Sequence, residues 1–128
     1  MVSLDSSFLI DLLAGERSAV DRAARLEQSG EDRCLSAPAA SEVMVGAYRL
    51  GGTYLARARM MVDGLRLLAF DQQAYHEAGR IGADLLRRGF RLGQSDLFIA
   101  AISLRHGQRL LTRDAGFSNV PGLAVETY

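Results

Sequence analysis

Lysine is absent: all fifteen basic residues are Arg, and fifteen acids balance them to a net charge of zero. A phosphate-accepting receiver domain needs a Lys beside its aspartyl phosphate, so that class is excluded. The null balance also carries no electrostatic footprint for nucleic acid, although Arg is the better side chain for planar contacts to phosphate. Cysteine is nearly absent. With Cys34 alone, no intrachain disulfide and no Cys-based zinc site can form, and its apolar setting in "RCLSAP" reads as a small core residue. No basic-then-apolar leader is visible, and no apolar run is long enough to cross a bilayer, so a cytoplasmic protein off the membrane is expected. Linkers, repeats and low-complexity tracts are also missing. The 128 residues suit one domain with a real core.

What is present is an alternation. "MVSLD", "RCLSAP", "LRLLAF", "RLLTR" and "GLAVETY" read as short strands, with Pro38 closing the second. Between them lie helical patterns. "SSFLIDLLAG" has Ser6 or Ser7 as its cap and Gly15 as its stop. "RSAVDRAARLEQSG" turns Val20, Ala23, Ala24 and Leu26 inward and Arg22, Arg25 and Glu27 outward. "AASEVMVGAYRLGG" ends at paired glycines, and "TYLARARMMVDGL" follows. Asp71 caps "QQAYHEAGRIGADLLRRG", the loop "FRLGQ" follows, and a buried helix runs through Ile99, Ala100, Ala101, Ile102 and Leu104. Strands alternating with helices predict an α/β fold, a three-layer α/β/α sandwich with a mostly parallel central sheet.

Four acids have positions that capping alone does not require. Asp5 follows the first strand, Asp114 follows "RLLTR", Asp96 starts the helix feeding that strand, and Glu42 is placed in the first turn after "RCLSAP". Each has an ordinary explanation as a cap, turn or dipole-favoured acid. Open parallel sheets bind ligands beyond the C-terminal strand ends, where strand order reverses. If the first and fourth strands are neighbours, all four acids share that rim. A like-charge pair at ~5 Å and an effective dielectric of ~20 costs about 3 kcal/mol, so a cation is expected there. Oxygen ligands without Cys or His point to Mg²⁺ or Mn²⁺, and such a site suits phosphoryl chemistry.

These segments resemble the PIN-domain ribonucleases, and among them the VapC-type toxins of bacterial toxin–antitoxin pairs. "VSLDSSFLIDLL", "SAPAASEVMVGA" and "GQSDLFIAAISLRHGQRLLTRDAGF" followed by "VPGLAVETY" carry the resemblance in order. It implies a single PIN domain over residues 1–128, with first and fourth strands side by side. It implies Asp5, Glu42, Asp96 and Asp114 as metal-binding and catalytic acids, Mg²⁺ or Mn²⁺ as cofactor, and RNA hydrolysed by activated water. Thr112 matches a hydroxyl near the family's site, as Ser6 or Ser7 does. The implied partners are RNA, a cognate antitoxin protein and a second copy in a homodimer. The expected antitoxin groove runs along Phe8, Leu12 and Leu13 and the helix carrying Tyr48. This chain departs from the pattern at Ser95, where Asn is common, and at Gly116, where an acid or His is common. The fourth acid varies between Asp and Asn. A non-catalytic PIN-fold interaction module is the alternative, and it has no need of all four acids.

Several residues are set aside. Asp71 follows a strand expected at the sheet edge. His76 and His106 read as surface residues. Met44, Tyr48, Met60 and Met61 read as core, with a dimer interface as the rival. Arg87, Arg88 and Arg91 read as a solvated face, with an RNA phosphate clamp as the rival.

Overall fold

Five short parallel strands form one sheet in the order β3-β2-β1-β4-β5. The computed structural model describes residues 1–128. The elements in chain order are β1 (Val2–Leu4), α1 (Ser6–Leu13), α2 (Arg17–Ser29), β2 (Arg33–Ser36), α3 (Ala37–Leu50), α4 (Gly52–Asp63), β3 (Arg66–Leu68), α5 (Gln72–Arg87), α6 (Gln94–Arg105), β4 (Arg109–Leu111), a 3₁₀ turn (Ala115–Asn119) and β5 (Val125–Glu126). Each adjacent strand pair is parallel, so the sheet is wholly rather than mostly so. β1 pairs with β4 in the register Val2↔Arg109 and Leu4↔Leu111. From β1 the chain builds outward to β2 and β3 on one side, then to β4 and β5 on the other. The order therefore reverses between β1 and β4.

The central strands are apolar because helices cover both faces. Val2, Leu35, Leu110 and Leu111 are fully buried, and Phe8, Leu9, Ile99, Ile81 and Phe117 pack over them. Cys34 is buried, and its thiol donates to the Val2 carbonyl. β3 is an edge strand, as expected, and Asp71 beside it caps α5 by accepting from the Ala74 amide at 2.9 Å. No helix is long and apolar enough to cross a membrane.

Local details depart from the sequence reading. α3 begins at Ala37, so Pro38 lies in its first turn, where a missing amide hydrogen is harmless, and Ser36 is the cap. In α2 the inward face is Ala19, Arg22, Ala23 and Leu26. Val20 is 44 % exposed and Ala24 faces out. Arg22 shares the inward face and pairs with Glu126 at 2.8 Å. Tyr48 and Met60 are exposed rather than core.

Candidate active site at the β1–β4 switch point

Asp5 leaves β1 and occupies the cap position of α1, yet its side chain caps nothing. Ser6 and Ser7, expected as caps, are instead the first residues inside α1. Both hydroxyls serve acids. Ser7 Oγ donates to Asp5 Oδ2 at 2.8 Å, and Ser6 Oγ donates to Glu42. Thr112, immediately after β4, donates to the same Asp5 oxygen at 2.6 Å and accepts from the Asp114 amide at 3.0 Å. Asp5 is 3 % exposed, and its Oδ1 is buried without any partner. Burial raises its pKa, the Thr112, Ser7 and backbone hydrogen bonds oppose this, and Glu42 adds to the rise.

Asp96 stands in the first turn of α6, whose cap is Gly93. The N-cap explanation for Asp96 is therefore not realised. Its pKa is pushed up to about 6, first by burial and then by Asp5, Asp114 and Glu42. A carboxylate in a helix's first turn gains about 0.3–1 kcal/mol from the dipole. Burial and three like charges outweigh that gain here. Those three acids come from segments of the chain other than the one carrying Asp96.

Glu42 lies in the second turn of α3, not the first, because the helix starts two residues earlier than expected. Asp114 does take the turn role foreseen for it: its Oδ1 accepts from the Gly116 amide at 2.9 Å and opens the 3₁₀ turn. Asp5, Asp96 and Asp114, with Ser6, Ser7 and Arg113, line an open cavity of about 450 Å³. The acids are gathered but spread, and no three stand at a spacing that holds one ion between them. Glu42 is engaged with Ser6 and Asp114 with its own turn. Neither His76 nor His106 lines the cavity.

Arg113 is a rim residue that sequence reasoning missed. Its guanidinium pairs with Asp11, which is nearly buried and also accepts from the Tyr128 hydroxyl at 2.6 Å. Burial and Asp11 hold the Tyr128 phenol above its ordinary range. Asp11 and Arg113 are 102 residues apart, so no local pattern announces the pair.

Asp96→Asn is expected to stabilise the isolated protein at pH 7.5. A raised folded pKa means folded Asp96 holds its proton more tightly than unfolded Asp96. Its contribution to stability is therefore full below about pH 4 and lost as pH rises through about 6. Solvent reaches part of the carboxylate, so the gain for Asn is about 1–2 kcal/mol, less than the whole shift implies. Urea melts in chelator should show that gain at pH 7.5 and no difference at pH 4.

The PIN domain family model matches residues 2–123. Solved structures match along nearly the whole chain. VapBC2 from Rickettsia felis, bound to a DNA fragment from its promoter, is 17 % identical with a TM-score of 0.87, covering 100 % of this chain and 99 % of that one. DNA-bound VapBC from Salmonella typhimurium is 25 % identical with a TM-score of 0.82, covering 99 % and 98 %. Mycobacterium tuberculosis VapC20, a sarcin–ricin-loop-cleaving toxin, is 18 % identical with a TM-score of 0.72, covering 94 % and 95 %. No curated protein matches the sequence.

Proposed function

The chain belongs to the PIN-domain family, and from that premise we propose that it is a divalent-metal-dependent endoribonuclease, the toxin of a toxin–antitoxin pair. One observation carries the reading: Asp5, Asp96 and Asp114 line one open cavity at the point where strand order reverses, and Glu42 is hydrogen-bonded to Ser6 of the same lining. The neighbours' descriptions as VapBC complexes and an RNA-cleaving toxin support it.

The donors fit a hard cation. They are all oxygen, and Asp5 Oδ1 is a buried acceptor with nothing to accept from. Asp5, Asp96, Asp114 and Glu42 would hold Mg²⁺ or Mn²⁺, with Glu42 and Asp114 turning from their present partners. When bound, such an ion activates water and neutralises charge on the phosphodiester. The chain's own residues prepare this. Thr112 and Ser7 lock the Asp5 carboxylate through Oδ2 and leave Oδ1 without a donor. Ser6 keeps Glu42 near the rim. Arg113, tethered by Asp11, sets a positive charge beside the acids, where an RNA phosphate would pass. An interaction module gains nothing from a buried carboxylate with one oxygen left unpartnered.

The partner in this reading is a cognate antitoxin. The groove foreseen along Phe8, Leu12 and Leu13 and the Tyr48 helix needs correction at Phe8, which is 1 % exposed and cannot form a wall. An apolar hollow of about 370 Å³ lies instead among Leu13, Arg57, Met60 and Met61, between α1 and α4. An amphipathic segment would anchor there. A homodimer belongs to the same proposal, supported by Val45, Tyr48 and Leu50, which α3 leaves exposed.

Purified protein mixed with structured RNA tests the reading. Cleavage is expected with Mg²⁺ or Mn²⁺, none in chelator, and none with the cognate antitoxin added. Failure to cut any RNA in either metal, or cutting that ignores chelator, would refute it.

A further inference from the structure

A separate hollow of about 220 Å³ is lined by Gly82, Leu86, Phe90, Arg91, Leu92 and Leu97. It sits between the C-terminal end of α5 and the first turn of α6. Its wall is continuous with the acidic site. Leu97 follows Asp96 directly, and a Cβ on Gly116 would meet Asp114 Oδ1 at 3.2 Å and Leu92 Cδ2 at 3.6 Å. Leu92 and the Asp114 carboxylate therefore flank one glycine.

The backbone places Phe90 rigidly. Gly89 takes a left-handed φ of 81°, its amide bonds Leu86 O at 3.1 Å, and the Phe90 amide bonds Leu85 O at 2.8 Å. This pair of bonds is the Schellman ending, in which the residue after the left-handed glycine commonly packs back on the helix. Phe90 stays 42 % exposed all the same. The Arg88 guanidinium lies over its ring at 5.6 Å from the centroid and is itself held by Asp84 and the Asn119 carbonyl. Arg87 and Arg91 are exposed and enter none of the chain's ion pairs.

We propose that this hollow receives an unpaired nucleobase of the RNA substrate, stacked on Phe90, next to the phosphate held at the acids. The inference rests on the ribonuclease reading and adds a specificity site to it. Its volume is below the ~300–1,000 Å³ of pockets that enclose drug-sized ligands, which suits one flat ring rather than a folded peptide segment. A pre-placed aromatic ring and free arginines are what single-stranded nucleic acid requires: a π-face for the base and cations for its backbone. Arg87 and Arg91 enter no ion pair of the chain, so the phosphates of a nucleic-acid backbone find uncommitted cations near the hollow.

The chain has no Trp, so Phe90→Trp places the sole indole at this spot. In an Asp96→Asn background that binds without cutting, a short single-stranded oligoribonucleotide is expected to quench that indole, and an abasic oligomer of equal length is not. Phe90→Leu, which keeps apolar bulk but loses the ring, is expected to bind the oligoribonucleotide about 5- to 150-fold more weakly, the range of one base–aromatic stack. Phe90→Trp is expected to stay within about threefold of Phe90. The site is exposed enough for all three to fold, which circular dichroism checks. Equal binding by Phe90→Leu, or equal quenching by the abasic oligomer, would overturn the base site while leaving the nuclease reading intact. Quenching by the cognate antitoxin but not by RNA would also overturn it and assign the hollow to protein. If the protein with native Asp96 and Phe90 fails to cut RNA, the nuclease reading falls first.

Discussion

Asp5→Ala and Asp96→Ala proteins are expected to lose RNA cleavage by at least two to three orders of magnitude, on the order of what one preorganised electrostatic group contributes, and to remain folded. The two losses have different stability signatures. Asp5→Ala leaves the Thr112 and Ser7 hydroxyls without their acceptor, which costs about 1 kcal/mol for each bond. It also removes a buried carboxylate whose Oδ1 is unpartnered, which returns a similar amount. The net change should stay within about 2 kcal/mol. Asp96→Ala removes a charge that burial and three neighbouring acids oppose, so the metal-free protein should melt higher. Ordinary structural residues lose activity because they lose fold. These two should lose activity while keeping or gaining stability, and thermal melts in chelator beside a cleavage assay in Mn²⁺ separate the cases. An active Asp96→Ala protein would refute the assignment.

Metal affinity is expected to fall at least about tenfold between pH 7.5 and pH 5. Cations bind ionised carboxylates, so protons compete for the same oxygens. With a metal-free pKa of about 6, Asp96 is almost wholly ionised at pH 7.5 and mostly protonated at pH 5, and that one proton accounts for the tenfold. Burial raises the pKa of Asp5 as well. The acids interact, so the titration belongs to the cluster rather than to one residue. Replacing Asp96 by Asn should weaken binding at pH 7.5 and flatten the pH dependence together. Calorimetric Mn²⁺ titrations across the range measure both. Equal affinity at pH 8 and pH 5 would contradict a clustered site.

Much of this was legible in the chain because it depends on near neighbours. Apolar runs such as "RLL" announce buried strands, and the spacing of Phe8, Leu9, Leu12 and Leu13 announces a helix. Asp71 reads as a cap and is one. The errors lie where a local signal competes with a distant partner. Ser6 and Ser7 have the chemistry of caps, but Glu42 and Asp5 claim their hydroxyls. Val20 fits an inward stripe of α2, but the face that packs runs through Ala19, Ala23 and Leu26, and Arg22 on that face reaches Glu126, 104 residues away. Nothing near Arg113 in sequence points to Asp11, and nothing near Phe90 shows that its hollow adjoins Asp114.

The sequence by itself determined the alternation of elements, the acid-only donor set and the exclusion of an intrachain disulfide and a Cys-based zinc site, since residue type and periodicity act over a few positions. Only the tertiary structure decided that β1 lies beside β4. That pairing brings Thr112 to Asp5 across 107 positions and turns separate acids into one repelling cluster. Coulomb repulsion and burial depend on distance in space, and distance in space follows strand order.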